Sequence, residues 1–248
     1  MNKKKIVFFG TKKIGFDCLN ILNMHQNKLN CEIIGVLTNK ESNDIREYSL
    51  DNNLKLLGSL DDFLRLPEVD IIISVQYHQI LNLNHIKKAN DLAINLHMAP
   101  LPEYRGCNQF SLAIIEDKKV FVTTIHKIEK GIDSGDILFE SRFKIPKNCW
   151  IEDLYKLTYQ KSLELFMKSL PQIISLNFVS MPQDSLIKER GSSLHFRKEI
   201  KDLKKIDLSW TINKIERHIR ATSMEGFEPP YFVIKGKKIF FKKEWIND

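Results

Sequence analysis

Three side chains in this 248-residue chain have types that together could polarise a carbonyl and handle a proton: Asn95, His97 and Asp133. Asn95 and His97 stand two residues apart, where the apolar run AINLH breaks into a proline-pinned loop, PLPEYRG, ending at Gly106. If that run closes a strand, alternation sends both side chains to one side of a sheet at its carboxyl edge, where α/β folds seat their ligands. An amide donates hydrogen bonds and an imidazole titrates near neutrality, so the pair suits attack on a carbonyl carbon. Asp133 lies between Gly131 and Gly135. Flanking glycines open backbone conformations that let a carboxylate approach a partner closely, there to orient His97 or to accept a proton through it. Taken singly, each residue also has an ordinary reading, as a hydrogen-bonded histidine at a strand end or an aspartate in a turn.

The elements that must position these groups are legible as alternating strands and helices. KIVFFG is a short apolar run stopped by Gly10, and Phe16, Leu19, Ile21 and Leu22 after it form a helical face. CEIIGVLTN, Asp70 to Val75 and Asp91 to His97 repeat the strand signal. Strands apolar on both faces, separated by helix-length segments, belong to a covered parallel sheet. The expected fold is therefore α/β, a Rossmann-like, doubly wound, mostly parallel sheet. VFVTTIHKI and GDILFESRFKI read as two further strands, and a long helix follows from Asn148 and Trp150. Apolar periodicity gives way to lysines near Asn177, which places a boundary between a catalytic domain, 1–177, and a C-terminal extension, 178–248. That extension carries a helical pattern at Ile212, Ile215 and Ile219 and a β-hairpin turning at Lys235-Gly236.

Composition narrows the classes. With 43% hydrophobic and 28% charged residues the chain reads as globular. Cys18, Cys31, Cys107 and Cys149 share no CxxC spacing, which suggests neither a zinc site nor a disulfide framework and fits reduced thiols in cytoplasm. The apolar stretch Ile6 to Phe9 is too short for a signal peptide core or a membrane span. A net charge of +7 favours anionic partners in general, nucleic acid, a nucleotide, a phosphorylated metabolite or folate, or marks a solvated lysine-rich surface; dispersed lysines and the lack of an RNA motif speak against nucleic acid. GTKKIG meets neither nucleotide fingerprint, leaving Lys12 at a helix start as a contact for phosphate or sugar. No cluster has the spacing of metal ligands, and none is expected to bind metal.

Asn95-x-His97, PLPEYRG, VTTIHKI and GIDSGDIL, in that order across roughly Lys5 to Ile145, resemble the hallmarks of the 10-formyltetrahydrofolate-dependent formyltransferase family. The resemblance implies a catalytic trio of Asn95, His97 and Asp133, with 10-formyltetrahydrofolate as co-substrate. Asn95, joined by His97 if protonated, would stabilise an oxyanion; His97 held by Asp133 would instead shuttle the proton. The resemblance also implies a folate cleft lined by Tyr77, His78, Gln79 and Ile80, closed by the turn bearing Asp136. QYHQIL, NLHMAPLPEYRGCNQF and GFEPPYFVIKGKKIFF are most similar to the sugar N-formyltransferases. That likeness implies a nucleotide-linked amino sugar, dTDP-4-amino-4,6-dideoxyglucose, and a role in lipopolysaccharide O-antigen synthesis. Under it, Tyr104, Arg105 and Gly106 shape the sugar pocket, Trp150 stacks on the base, Arg197 and Lys204 meet the diphosphate, and the hairpin builds a homodimer. A methionyl-tRNA formyltransferase-like enzyme and a hydrolase of the formyl cofactor are the other enzymatic readings. A non-catalytic nucleotide- or RNA-binding module is the third class, and it would bind with a steep salt dependence.

Overall fold

A run with no polar residue on either face is stable only inside a covered sheet, and the first half of the chain is built on such runs. The computed structural model describes residues 3–243. In chain order it forms β1 (Lys4–Gly10), α1 (Lys12–His25), β2 (Cys31–Leu37), α2 (Asn43–Asp51), α3 (Leu60–Leu64), β3 (Ile71–Val75), α4 (Leu83–Ile86) and β4 (Leu92–His97). All five residues of β3 are buried. In β1, Ile6 and Phe8 pack with Ile14 and Leu19 of α1 on one face, while Val7 and Phe9 pack with Phe63 on the other. Each such fully buried phenylalanine contributes about 2 to 3 kcal/mol of transfer free energy.

β5 (Arg105–Gly106), α5 (Gln109–Ile115), β6 (Val120–Lys127), β7 (Ile137–Lys144) and α6 (Ile151–Ile174) follow. The main sheet has the order β2-β1-β3-β4-β6-β7. Its first four strands are parallel, as expected, but β6 runs antiparallel to β4 and β7 antiparallel to β6, so the sheet is mixed. The 24-residue α6 lays Leu165, Phe166, Leu170 and Ile173 on the face that α1 also covers.

The change of composition near Asn177 coincides with the end of α6, yet the residues beyond it return across the part of the chain that precedes it. Met181 and Ile137 exchange backbone hydrogen bonds of 2.9 Å each way. After α7 (Ile187–Arg190), the two-residue β8 (Leu194–His195) pairs in parallel with β5. Then come α8 (Ile200–Leu203) and α9 (Ile212–Thr222), whose Ala221 joins Ala113, Phe121 and Leu154 in a third apolar cluster. β9 (Tyr231–Ile234) and β10 (Lys237–Phe240) form the hairpin. Lys235 and Gly236 both take positive φ, 46° and 76°, the pair of conformations that a two-residue turn matched to strand twist requires.

Candidate active site

The reversal of direction between β4 and β6 sets the site. It places Asn95 opposite His126 and His97 opposite Thr124, so two imidazoles and an amide converge at one edge of the sheet. Asp133 enters from the loop between β6 and β7, with φ at +47°. Its Oδ2 accepts the Gly106 N–H at 2.9 Å and faces His97 Nδ1 at 3.6 Å, while its Oδ1 lies 3.4 Å from His126 Nε2. The backbone of that loop is held in turn by Gln183, whose Nε2 donates to the carbonyls of Asp133 at 2.8 Å and Gly135 at 2.7 Å. Burial alone would raise the Asp133 carboxyl; the two histidines and the Gly106 N–H outweigh it and hold the group well below the usual carboxylate range.

The tautomers follow from the partners. A carbonyl only accepts, so His97 Nε2, 2.9 Å from the Tyr104 carbonyl, carries a hydrogen, and so does His126 Nδ1, 2.7 Å from the Lys127 carbonyl. The other nitrogen of each ring faces Asp133. A proton added to either imidazole therefore lands against the same carboxylate. Asn95 Nδ2 donates to His126 Nε2 at 3.2 Å when that nitrogen is bare. The amide, both rings and the carboxylate thus form one network for placing a proton and offering a hydrogen-bond donor.

Asn95, His126 and Asp133 open onto a cleft of about 150 Å³ that Tyr77, Gln79 and Ile80 also line. Tyr77 packs on Phe9 with ring centres 5.1 Å apart, and Ile80 is 77% exposed at the rim. His97 is only 5% exposed and sits behind Asp133. His78 and Asp136 lie beside the cleft without lining it. His78 packs edge-on against Tyr77, and Asp136 accepts from Lys127 Nζ at 3.1 Å and Ser180 Oγ at 2.6 Å.

The other sequence candidates separate into groups. Lys12, with φ at +61°, reaches Gln76 Oε1 at 3.0 Å; burial, then the nearby Arg197, lowers its ammonium below the ordinary lysine value. Tyr104 turns its phenol away from the site to Glu116 at 2.6 Å, and burial with that carboxylate pushes the phenol up, so only its carbonyl serves His97. Arg105 carries a buried Nε with no hydrogen-bond partner. Gly106 has φ at +87°, and a Cβ there would stand 2.2 Å from the His195 carbonyl oxygen, so β5 and β8 touch only because this residue lacks a side chain. Lys204, 7% exposed, lines an apolar cavity of about 190 Å³ with Asn108, Phe110, Ile151 and Phe227, and burial lowers its ammonium. Trp150 is not part of that lining; its ring lies under the Lys243 ammonium at 4.8 Å, and its backbone N–H donates to the Asp153 carboxylate at 3.3 Å.

Two residues of the network escaped the sequence reading. His126 had a signal, since alternation along VFVTTIHKI puts it on the face of Val122 and Thr124, but only the register of β6 on β4 brings it to Asn95. Gln183 had none. Among the described residues, no group of three His, Cys, Asp or Glu side chains is placed to hold a metal, and no helix is long and apolar enough to cross a membrane.

Residues 4–170 match the family model for formyl transferase. The bifunctional polymyxin resistance protein ArnA of Wigglesworthia glossinidia brevipalpis is 28% identical over 264 residues, covering 98% of this chain but only 38% of that protein. A methionyl-tRNA formyltransferase of Lactobacillus delbrueckii subsp. bulgaricus is 26% identical over 262 residues, 98% of this chain and 79% of the relative. Among solved structures, WlaRD, a sugar 3N-formyl transferase crystallised in the presence of dTDP and 5-N-formyl-THF, superposes with a TM-score of 0.79. It is 25% identical, with 96% of this chain and 85% of that one covered.

Proposed function

The chain belongs to the formyl transferase family, and from that premise we propose that it moves a formyl group from 10-formyltetrahydrofolate to the amine of a nucleotide-linked amino-dideoxysugar. The observation that carries this reading is the Asp133 carboxylate held between two imidazoles beside Asn95, on an open cleft. The folate supplies the formyl carbon and takes up a proton as it leaves. As the amine attacks, Asn95 turns its N–H from His126 to the carbonyl oxygen, where negative charge develops. The proton shed by the amine passes to the network of Asp133, His97 and His126 and then to the departing nitrogen, so none is gained or lost overall. Tyr77, Gln79 and Ile80 line the folate side, with His78 and Asp136 in support. Lys12 and Arg197 lie near enough for the Arg197 charge to act on the Lys12 ammonium, and the pair suits a diphosphate. Lys204 brings its ammonium to the apolar cavity.

The likeness to a sugar 3N-formyl transferase crystallised with dTDP supports the sugar nucleotide, and dTDP-4-amino-4,6-dideoxyglucose, feeding surface polysaccharide synthesis, is the substrate we put forward. The methionyl-tRNA formyltransferase relative favours a second reading in which charged initiator tRNA is the acceptor. Mass spectrometry with 10-formyltetrahydrofolate, a panel of dTDP- and UDP-linked 3- and 4-amino sugars, and methionyl-tRNA separates them. A gain of one formyl group is expected on a single sugar nucleotide. Loss of one oxyanion donor in Asn95→Ala should lower that rate by about 100- to 1000-fold. Formylation of methionyl-tRNA alone would reverse the assignment.

The hairpin supports a further element of this reading, a homodimer. Val233, Ile234, Ile239 and Phe240 are each 39 to 50% exposed, and a two-stranded ribbon with apolar side chains open to water is marginal by itself. Light scattering at assay concentration should give a mass near twice 29.0 kDa; a monomer mass, or a dimer unaffected by Ile234→Lys with Phe240→Glu, would refute it.

A further inference from the structure

A polar cavity beside α9 has no part in the chemistry above. It is about 410 Å³ and shares no residue with the catalytic cleft. The turn after α5, the loop after β7 and one side of α9 form its walls. It also shares no residue with the apolar cavity: Gln109 and Phe110 at the start of α5 line the latter, and Ile114 near its end lines the former.

Its charges are unbalanced. Lys118, Lys119, Lys147, Arg217 and Arg220 face it, against the carboxylates of Asp117 and Glu216. Lys119 pairs with Asp117 Oδ1 at 2.7 Å, while Arg217 stands 3.8 Å from Oδ2 of the same carboxylate and makes a long hydrogen bond of 3.5 Å to the Ile115 carbonyl. The Arg220 side chain is only 14% exposed, its closest carboxylate oxygen is 3.9 Å away on Glu216, and its Nε is buried with no hydrogen-bond partner. Lys147 makes no ion pair among the described residues. Burying one guanidinium N–H without an acceptor is costly, and a planar fork of donors facing a polar cavity fits the oxygens of a phosphate group. The volume lies in the range of small-molecule sites.

We infer that this cavity is a second anion site, for a phosphorylated small molecule with two or more negative charges, bound by Arg217, Arg220 and Lys147 away from the formyl-transfer centre. On the proposed function, on which this inference rests, the diphosphate of the sugar nucleotide goes to Lys12 and Arg197, and neither of them lines this cavity. Calorimetric titration of the full chain with inorganic pyrophosphate at low ionic strength tests the site, alongside KM for the sugar nucleotide. Pyrophosphate binding is expected to persist in Arg197→Ala. It should weaken by at least about tenfold in Arg220→Gln, the loss of a charged hydrogen bond, and measurably in Lys147→Ala, with KM for the sugar nucleotide unchanged in both. Because Arg220 is largely buried, Lys147→Ala and Arg217→Ala decide the matter should Arg220→Gln fail to fold. Binding untouched by all of these variants would overturn the site. A rise in KM parallel to the loss of pyrophosphate binding would overturn its independence, by making the cavity the seat of the substrate's diphosphate.

Discussion

Asp133→Asn should lower kcat by about a thousandfold to ten-thousandfold while KM for the sugar nucleotide stays within about threefold. The amide oxygen of an asparagine can still accept the Gly106 N–H, so the loop keeps its place and the variant tests charge rather than shape. What disappears is the anion that both imidazoles face, at 3.6 Å from His97 and 3.4 Å from His126. Each ring has its other nitrogen committed to a backbone carbonyl, so neither can turn to find another acceptor without breaking that bond. A cation formed on either ring during proton transfer would then lack its counter-charge in a site where burial strengthens electrostatics. Steady-state and single-turnover rates with the formylated folate measure the effect. A loss below about tenfold would show that the carboxylate has no part in moving the proton, and the proposed division of labour with Asn95 would fall with it.

Gly106→Ala is expected to cost roughly 3 kcal/mol of stability, combining strain at positive φ with a contact the backbone must move to relieve. The methyl carbon would lie 2.2 Å from the carbonyl oxygen of His195, with φ at +87°. That carbonyl belongs to the backbone and is not the free end of a side chain, so the strain spreads into the β5 and β8 pairing, including the Cys107 N–H bond to His195 at 2.9 Å. The same movement takes the Gly106 N–H from Asp133 Oδ2. Thermal melting should therefore fall by about 10 °C for a chain of this size, and kcat should fall with it even well below the melting temperature. A variant that melts within about 2 °C of the parent would mean the two strands separate at no cost, contrary to the close contact described.

How much of this was legible in the sequence differs by element. The four parallel strands were, because residues buried on both faces leave unbroken apolar runs such as Ile71 to Ile73. The long α6 and the turn at Lys235-Gly236 were also legible, since helical periodicity and turn chemistry are local. The pairing of β5 with β8 was not: two residues on each side carry no period, and about ninety residues separate them. In the site, the spacing of Asn95 and His97 and the glycines around Asp133 drew attention to the right loops. His97 nevertheless sits behind the carboxylate, and His126 takes the position opposite Asn95, because both facts depend on strand register. The surroundings of Trp150 were not legible either, because the Lys243 ammonium that lies 4.8 Å over its ring comes from more than ninety residues away in the chain.

The return of residues 181–196 across the part of the chain that precedes them, through Met181 on Ile137, Gln183 on the Asp133 loop, and β8 on β5, limits how such a gene can be recombined. An exchange of tails made at the end of α6 would bring in a foreign segment to brace the loop that carries Asp133, and any new specificity would arrive with that loop disturbed. A crossover placed after Phe196 leaves those braces with their own half, so variation in what this chain accepts has room to accumulate beyond that point and little before it.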